Sequence, residues 1–106
     1  NCEVFMLVRR WQAPRVPDIQ QIKILFEAEG LEPFNEEYPK GATVTDHRHP
    51  FDEVRMVASG ELVMNVAGNK LLLRPGDRIT IPSNTKHSME TQGDELCVCV
   101  CANKVY

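Results

Sequence analysis

Apolar and polar positions divide the chain near residue 30 into two stretches of different period. Ile19, Ile22, Leu25 and Phe26 recur at helical spacing, Asp18 stands where an N-cap is expected and Gln21 where its capping-box partner would be. Gly30 ends this helix, and a strand over residues 2–11, CEVFMLVRRW, precedes it through the Pro14–Pro17 linker. From Leu31 onward the helical period disappears. Short strand-like runs take its place: TVTDH, EVRMVA, ELVMNV, KLLLR, RITI, HSMET and ELCVCVC. Turn signals such as PKG, SG, AGN, PGD, PSNT and QGD separate them at roughly eight- to twelve-residue intervals, the rhythm of an all-β sandwich or barrel. The pattern predicts seven or eight antiparallel strands with one helix outside them. A small barrel or jelly roll of this kind encloses a pocket.

Length and composition narrow the picture. At 106 residues the chain is expected to form one domain, with the N-terminal strand and helix over 1–30 and the barrel over 31–106. Hydrophobic residues make up 42% and charged residues 25%, and no apolar run is long enough to span a bilayer, so a membrane role is not expected. The formal net charge is −3 and the longest cationic run is Arg9–Arg10, which argues against a nucleic-acid partner held through phosphates. No leader signature is visible at the N-terminus, although the first residue, Asn1, is consistent with a trimmed chain. Cys2, Cys97, Cys99 and Cys101 do not form a dispersed disulfide framework, and reduced thiols in a cytoplasmic protein are the expectation.

The candidate chemistry lies in HRHPFDE, residues 47–53. Two of the three histidines stand one residue apart, with Glu53 four positions after the second. On a strand over 42–48, alternation would point His47 and His49 the same way, with Cα atoms about 6.6 Å apart, close enough for two imidazoles to share an ion. Glu53 can add an oxygen ligand from the start of the next strand. His87, the remaining histidine, follows the PSNT turn at the head of another strand. Taken alone, an HxH at a strand end reads more often as a solvated turn. The longer string changes that reading: Gly41, five residues, His47, one, His49, three, Glu53, six, Gly60. It resembles the first motif of the cupin superfamily without a departure.

The second cupin motif is matched more loosely by Gly76, five residues, Pro82 and then His87. Asn84 replaces a usual glycine but tolerates a left-handed turn, and Thr91 replaces a usual asparagine. The resemblance covers about Leu31 to Cys101 and implies a cupin jelly-roll barrel, the double-stranded β-helix. It implies one divalent metal, Fe, Mn, Ni or Zn, on His47, His49, Glu53 and His87, since donor chemistry alone does not choose among these ions. Other small cupins further suggest a homodimer joined through the N-terminal strand or an outer sheet face. The stretch DEVRMV is similar to acireductone dioxygenases, which also carry Glu-x-Arg there, although this chain is much shorter and lacks their flanking regions.

Two other features bear on chemistry. Cys97, Cys99 and Cys101 share one face of a strand, but neighbouring Cα atoms about 6.6 Å apart keep these short side chains from converging on one ion at about 2.3 Å. They are expected to pack as small hydrophobes. Arg55, two positions after Glu53, has the parity to face the same interior, where a buried guanidinium needs a partner. A carboxylate of the barrel would satisfy it, and so would an anionic substrate oxygen beside the metal. Three functions remain open: a metalloenzyme acting on a small oxygenated metabolite, dioxygenase-like; a metal-dependent isomerase or lyase; and a non-catalytic module that binds or senses a small ligand.

Overall fold

The computed structural model describes residues 6–105. Its elements run β1 (Leu7–Arg9), α1 (Ile19–Ala28), β2 (Phe34–Tyr38), β3 (Thr43–His47), β4 (Asp52–Ser59), β5 (Glu61–Val66), β6 (Asn69–Leu73), β7 (Arg78–Ile81), β8 (His87–Gln92) and β9 (Cys97–Lys104). The strands form two antiparallel sheets, a five-stranded one ordered β1-β7-β4-β9-β2 and a four-stranded one ordered β3-β8-β5-β6. This is the all-β jelly-roll architecture expected, with one helix outside it. No helix among the described residues is long and apolar enough to cross a membrane.

Two differences from the sequence expectation are informative. The N-terminal strand is three residues long rather than ten, its first residues fall outside the described region, and it joins the barrel as an edge strand on β7. β2, FNEEY, carries no apolar alternation and is absent from the expected runs, yet it pairs with β9 over five residues. Tertiary pairing makes this strand, not its own hydrophobicity.

The apolar groups form two layers separated by the five-stranded sheet. Between the sheets lie Val57, Leu62, Met64, Val66, Leu73, Ile79, Ile81 and Met89, together with Cys97, Cys99 and Cys101. Behind the sheet, Ile22 and Phe26 of α1 pack with Leu31, Val54, Met56, Val100 and Ala102. Burying each large apolar side chain contributes about 1.5–3 kcal/mol, which makes tertiary packing rather than propensity the force that holds a ten-residue helix in place.

The helix ends are chemically closed. Asp18 accepts from the Gln21 amide while the Gln21 side chain accepts from the Asp18 amide, both at 2.9 Å. At the other end Gly30 adopts φ 81°, and its amide and that of Leu31 satisfy the carbonyls of Glu27 and Phe26. Arg78 of β7 then clamps the helix terminus, donating twice at 2.6 Å to the Glu29 carboxylate with its guanidinium over the Phe26 ring.

Two motif glycines are required by close approach as well as by φ. A Cβ on Gly60 would sit 2.6 Å from the Leu96 oxygen and one on Gly76 would sit 2.5 Å from Trp11 Cβ, with φ of 73° and 93°. Trp11 is fixed there because its amide, the Arg10 guanidinium and the Arg74 amide all donate to Asp77, which is 5% exposed.

Candidate metal centre

The three histidines converge, but by a route that strand alternation does not supply. β3 stops at His47 rather than continuing to 48, its ladder with β8 shifts between Val44 and His47, and His49 lies in the loop that follows. That loop is tied to the turn before β8. Asn84 N–H donates to the His49 carbonyl at 2.6 Å, Arg48 donates to the Asn84 carbonyl at 3.0 Å, and Ser83 N–H donates to the Asp52 carboxylate at 2.8 Å. Asn84 adopts φ 56°, the left-handed conformation for which asparagine is suited. The clamp sets His49 beside His87, while strand pairing sets His47 opposite His87.

The ring centroids lie 4.6 Å apart for His47–His49, 4.2 Å for His47–His87 and 5.2 Å for His49–His87. One donor atom from each lies within 4.8 Å of the other two. His47 Nδ1 contacts the Thr45 carbonyl at 2.8 Å and His87 Nδ1 contacts the Thr85 carbonyl at 2.9 Å. A carbonyl only accepts, so each Nδ1 carries a proton, and in the neutral ring Nε2 is the nitrogen with the lone pair. His49 stacks on Phe51, with centroids 4.8 Å apart and planes 10° from parallel.

Glu53, 5% exposed, is the second residue of β4, which Asp52 opens, and it faces this cluster. Its Oε1 is 3.4 Å from His49 Nε2 and 3.9 Å from His87 Nε2, and its Oε2 accepts from Arg55 Nε at 3.1 Å. His87 is 1% exposed, and its Nε2 is buried without a hydrogen-bond partner. Burial, opposed by the Thr85 carbonyl and Glu53, lowers the His87 pKa from the ordinary imidazole value and so favours the neutral ring.

Arg55, 2% exposed, shares the inner face of β4 with Glu53 and Val57, as parity requires, whereas Val54 and Met56 face α1. Its Nη2 donates to Glu36 Oε1 at 2.5 Å, Tyr38 lies beneath the guanidinium with its centroid 5.7 Å away, and Nη1 is buried with no partner. Glu36 and Tyr38 come from β2, so sequence reasoning missed both along with the strand. Their spacing of two, FNEEY read as a period-two pattern of polar residues, is the signal that was there to find. Burial raises the Glu36 pKa, and Arg55, Tyr38 and Cys101 outweigh it, leaving the carboxyl below its usual range. Burial raises the Tyr38 phenol.

The cysteines lie in the apolar layer between the sheets. Cys97 and Cys99 sulphurs are 3.9 Å apart, far beyond a bond of about 2.0 Å. They are not in the set of donors close enough to share an ion among the described residues. The Cys97 contact, with Arg55 nearby, lowers the Cys99 thiol to about 7, while Cys97 and Cys101 are pushed up.

The residues fit a divalent ion. A buried imidazole nitrogen with a lone pair and no donor to receive it loses solvation without compensation, and coordination is the chemistry that restores it. Three imidazoles beside one carboxylate form a mixed N/O set suited to first-row divalent metals, and the two Nδ1–H contacts are the outer-shell anchors that such ligands usually carry.

A family model described as Cupin domain matches residues 34–103. An acireductone dioxygenase of Bacillus licheniformis is 38% identical over 60 residues, which cover 52% of this chain and 34% of that enzyme. The matched stretch therefore spans about a third of the curated relative's length. Among solved structures, KdgF from Halomonas sp. superposes with a TM-score of 0.63 at 25% identity, covering 72% of this chain and 70% of that one. A cupin protein from Bacteroides fragilis gives 0.62 at 25% identity over 70% and 64%.

Proposed function

The chain belongs to the cupin family, and on that premise we propose that His47, His49, Glu53 and His87 bind one divalent transition metal, in a metalloenzyme that acts on a small oxygenated metabolite as a dioxygenase does. The observation that carries the reading is His87 Nε2, buried and without a hydrogen-bond partner while its Nδ1 is tied to a carbonyl. Iron, manganese, nickel and zinc all suit the donor set. The similarity of part of the chain to acireductone dioxygenase supports a ligand that offers adjacent oxygens.

When bound, such an ion supplies Lewis acidity toward substrate oxygens. The chain's own residues do the rest. Thr45 and Thr85 carbonyls hold His47 and His87 in the tautomer that presents Nε2. Arg55 Nε holds Glu53 Oε2, so Oε1 is the oxygen left facing the imidazoles. Arg55 places a fixed positive charge behind the site, with Nη1 as its unused donor, and we assign it the stabilisation of an anionic substrate oxygen. His49, with 29% of its side chain exposed, marks the side from which a small molecule enters.

The test is metal analysis of untagged protein beside its His49→Ala variant. Bound metal is expected to fall by about tenfold or more, since losing even an outer-shell partner costs that much, while circular dichroism shows the barrel intact. Full retention of metal by the folded variant overturns the assignment. Oxygen uptake with enediol or dicarbonyl candidates then separates dioxygenase from isomerase or lyase, and ligand-induced stabilisation without turnover assigns a binding or sensing role.

A further inference from the structure

The inner network continues past Arg55 to a second carboxylate. On β2, Phe34, Glu36 and Tyr38 share one face, and Glu36 meets the barrel's interior there. Its Oε1 accepts from Tyr38 Oη at 2.7 Å, from Arg55 Nη2 at 2.5 Å and from Cys101 Sγ at 3.5 Å. Three donors on one oxygen hold the carboxylate in a fixed attitude. Oε2 accepts from none of the described residues and is not among their buried unpartnered atoms, although the side chain is only 36% exposed. It is an oriented acceptor that solvent or a ligand can reach.

Charge decides what kind of ligand suits it. Glu53 and Glu36, as carboxylates, bring two negative charges against the one positive charge of Arg55, and imidazoles that ligate an ion do so in the neutral form. A divalent ion at the histidines brings the group to one net positive charge, which a single anionic group balances. One guanidinium bridges the two carboxylates, Nε to Glu53 and Nη2 to Glu36, so the free acceptor lies one side chain beyond the proposed ligand oxygen.

Resting on the metal reading above, we propose that Glu36 is a specificity-determining residue whose free Oε2 accepts a hydroxyl of the ligand, so that the preferred ligand is a hydroxylated monoanion with a hydroxyl beyond its metal-chelating oxygens. A ligand that carries this hydroxyl gains a hydrogen bond to a charged acceptor, whereas one lacking it leaves the oxygen to water.

The experiment uses the full chain loaded with cobalt(II), whose visible absorption reports ion uptake and changes in its ligands. D,L-glycerate and D,L-lactate are the probes. Both chelate through a carboxylate and its neighbouring hydroxyl, and glycerate alone has one hydroxyl more. The protein is expected to prefer glycerate by about tenfold or more, the factor a hydrogen bond to a charged group supplies. In Glu36→Gln the amide oxygen stays with the three donors and the amide nitrogen takes the place of Oε2, turning an acceptor into a donor. The preference should fall to near unity with cobalt uptake unchanged. Glu36→Asp, which keeps the charge but withdraws the carboxylate, should lower it as well. Equal affinities in the unaltered protein, an unchanged ratio in both variants, or tighter glycerate binding without Glu36 overturns the inference. Absence of cobalt uptake, or uptake indifferent to His49→Ala, defeats the metal reading itself, whereas His49-dependent uptake without hydroxyl preference defeats only the role of Glu36.

Discussion

The two faces of β4 are buried to nearly the same degree and are built on opposite principles. Toward α1 the strand presents Val54 and Met56, 1% and 4% exposed, and toward the interior it presents Glu53 and Arg55, 5% and 2% exposed. The apolar face gains from contact with almost any apolar neighbour, because its driving force is non-directional. The charged face is tolerated only through named partners at named distances: Glu53 with Arg55, and Arg55 with Glu36. Even so, Arg55 Nη1 and, across the site, His87 Nε2 remain without partners. Stability alone does not select such a face, since replacing buried ion pairs by packed apolar groups is often neutral or favourable. Its retention marks where the fold serves something other than its own stability.

The largest break in this comparison should come from Arg55→Leu, which leaves the Glu53 and Glu36 carboxylates facing each other's field without a cation. A loss of about 3–5 kcal/mol is expected in urea denaturation. A loss below about 1 kcal/mol would show that the two acids are already solvated. Met56→Ala, on the other face of the same strand, should cost about 2–4 kcal/mol through the cavity it opens against Ile22 and Phe26. Metal stoichiometry should stay unchanged in that variant, and a change would mean that the two faces are coupled.

A third, smaller effect sharpens the contrast with a carboxylate that is fully served. Burial raises the Asp77 pKa, but the Arg74 and Trp11 amides and Arg10 outweigh it, so the group titrates below its usual value. A pKa depressed in the folded state contributes stability that is present above the unfolded value, near about pH 4, and is lost as pH falls through the folded one. Urea midpoints measured from about pH 5 downward should therefore fall, and Asp77→Asn, expected to cost about 1–3 kcal/mol at neutral pH, should flatten that dependence. An identical acid profile in the variant would remove Asp77 from the cause.

Much of the scaffold was legible because its signals are local. β5 and β7 begin and end where their apolar alternation does, and the Asp18–Gln21 box and Gly30 bound the helix as their chemistry requires. The metal motif was legible through spacing, but its geometric explanation was not. Alternation along a strand to residue 48 would have aligned His47 and His49, whereas the structure ends β3 at His47 and uses the Arg48–Asn84 and Asp52–Ser83 contacts instead. Those contacts join residues more than thirty positions apart, which no local period records. β2 escaped for a related reason. A strand whose one face runs Phe34, Glu36, Tyr38 has its hydrophobic alternation broken at the centre, and its partner β9 lies some sixty residues later. Glu36 and Tyr38 went unread with it, although their spacing of two is visible in FNEEY.

The same polarity has a colloidal consequence. β2 is the last strand of its sheet, paired on one side only, so its outer row of backbone donors and acceptors is a template for a foreign strand. Asn35 and Glu37 lie along that edge, exposed, in a chain of net charge −3. An approaching copy would bring its own acidic strand alongside and would have to strip water from both rows of carboxylates before any backbone bond could form. The composition that hides β2 from sequence reading thus also disfavours edge-to-edge pairing at this open strand.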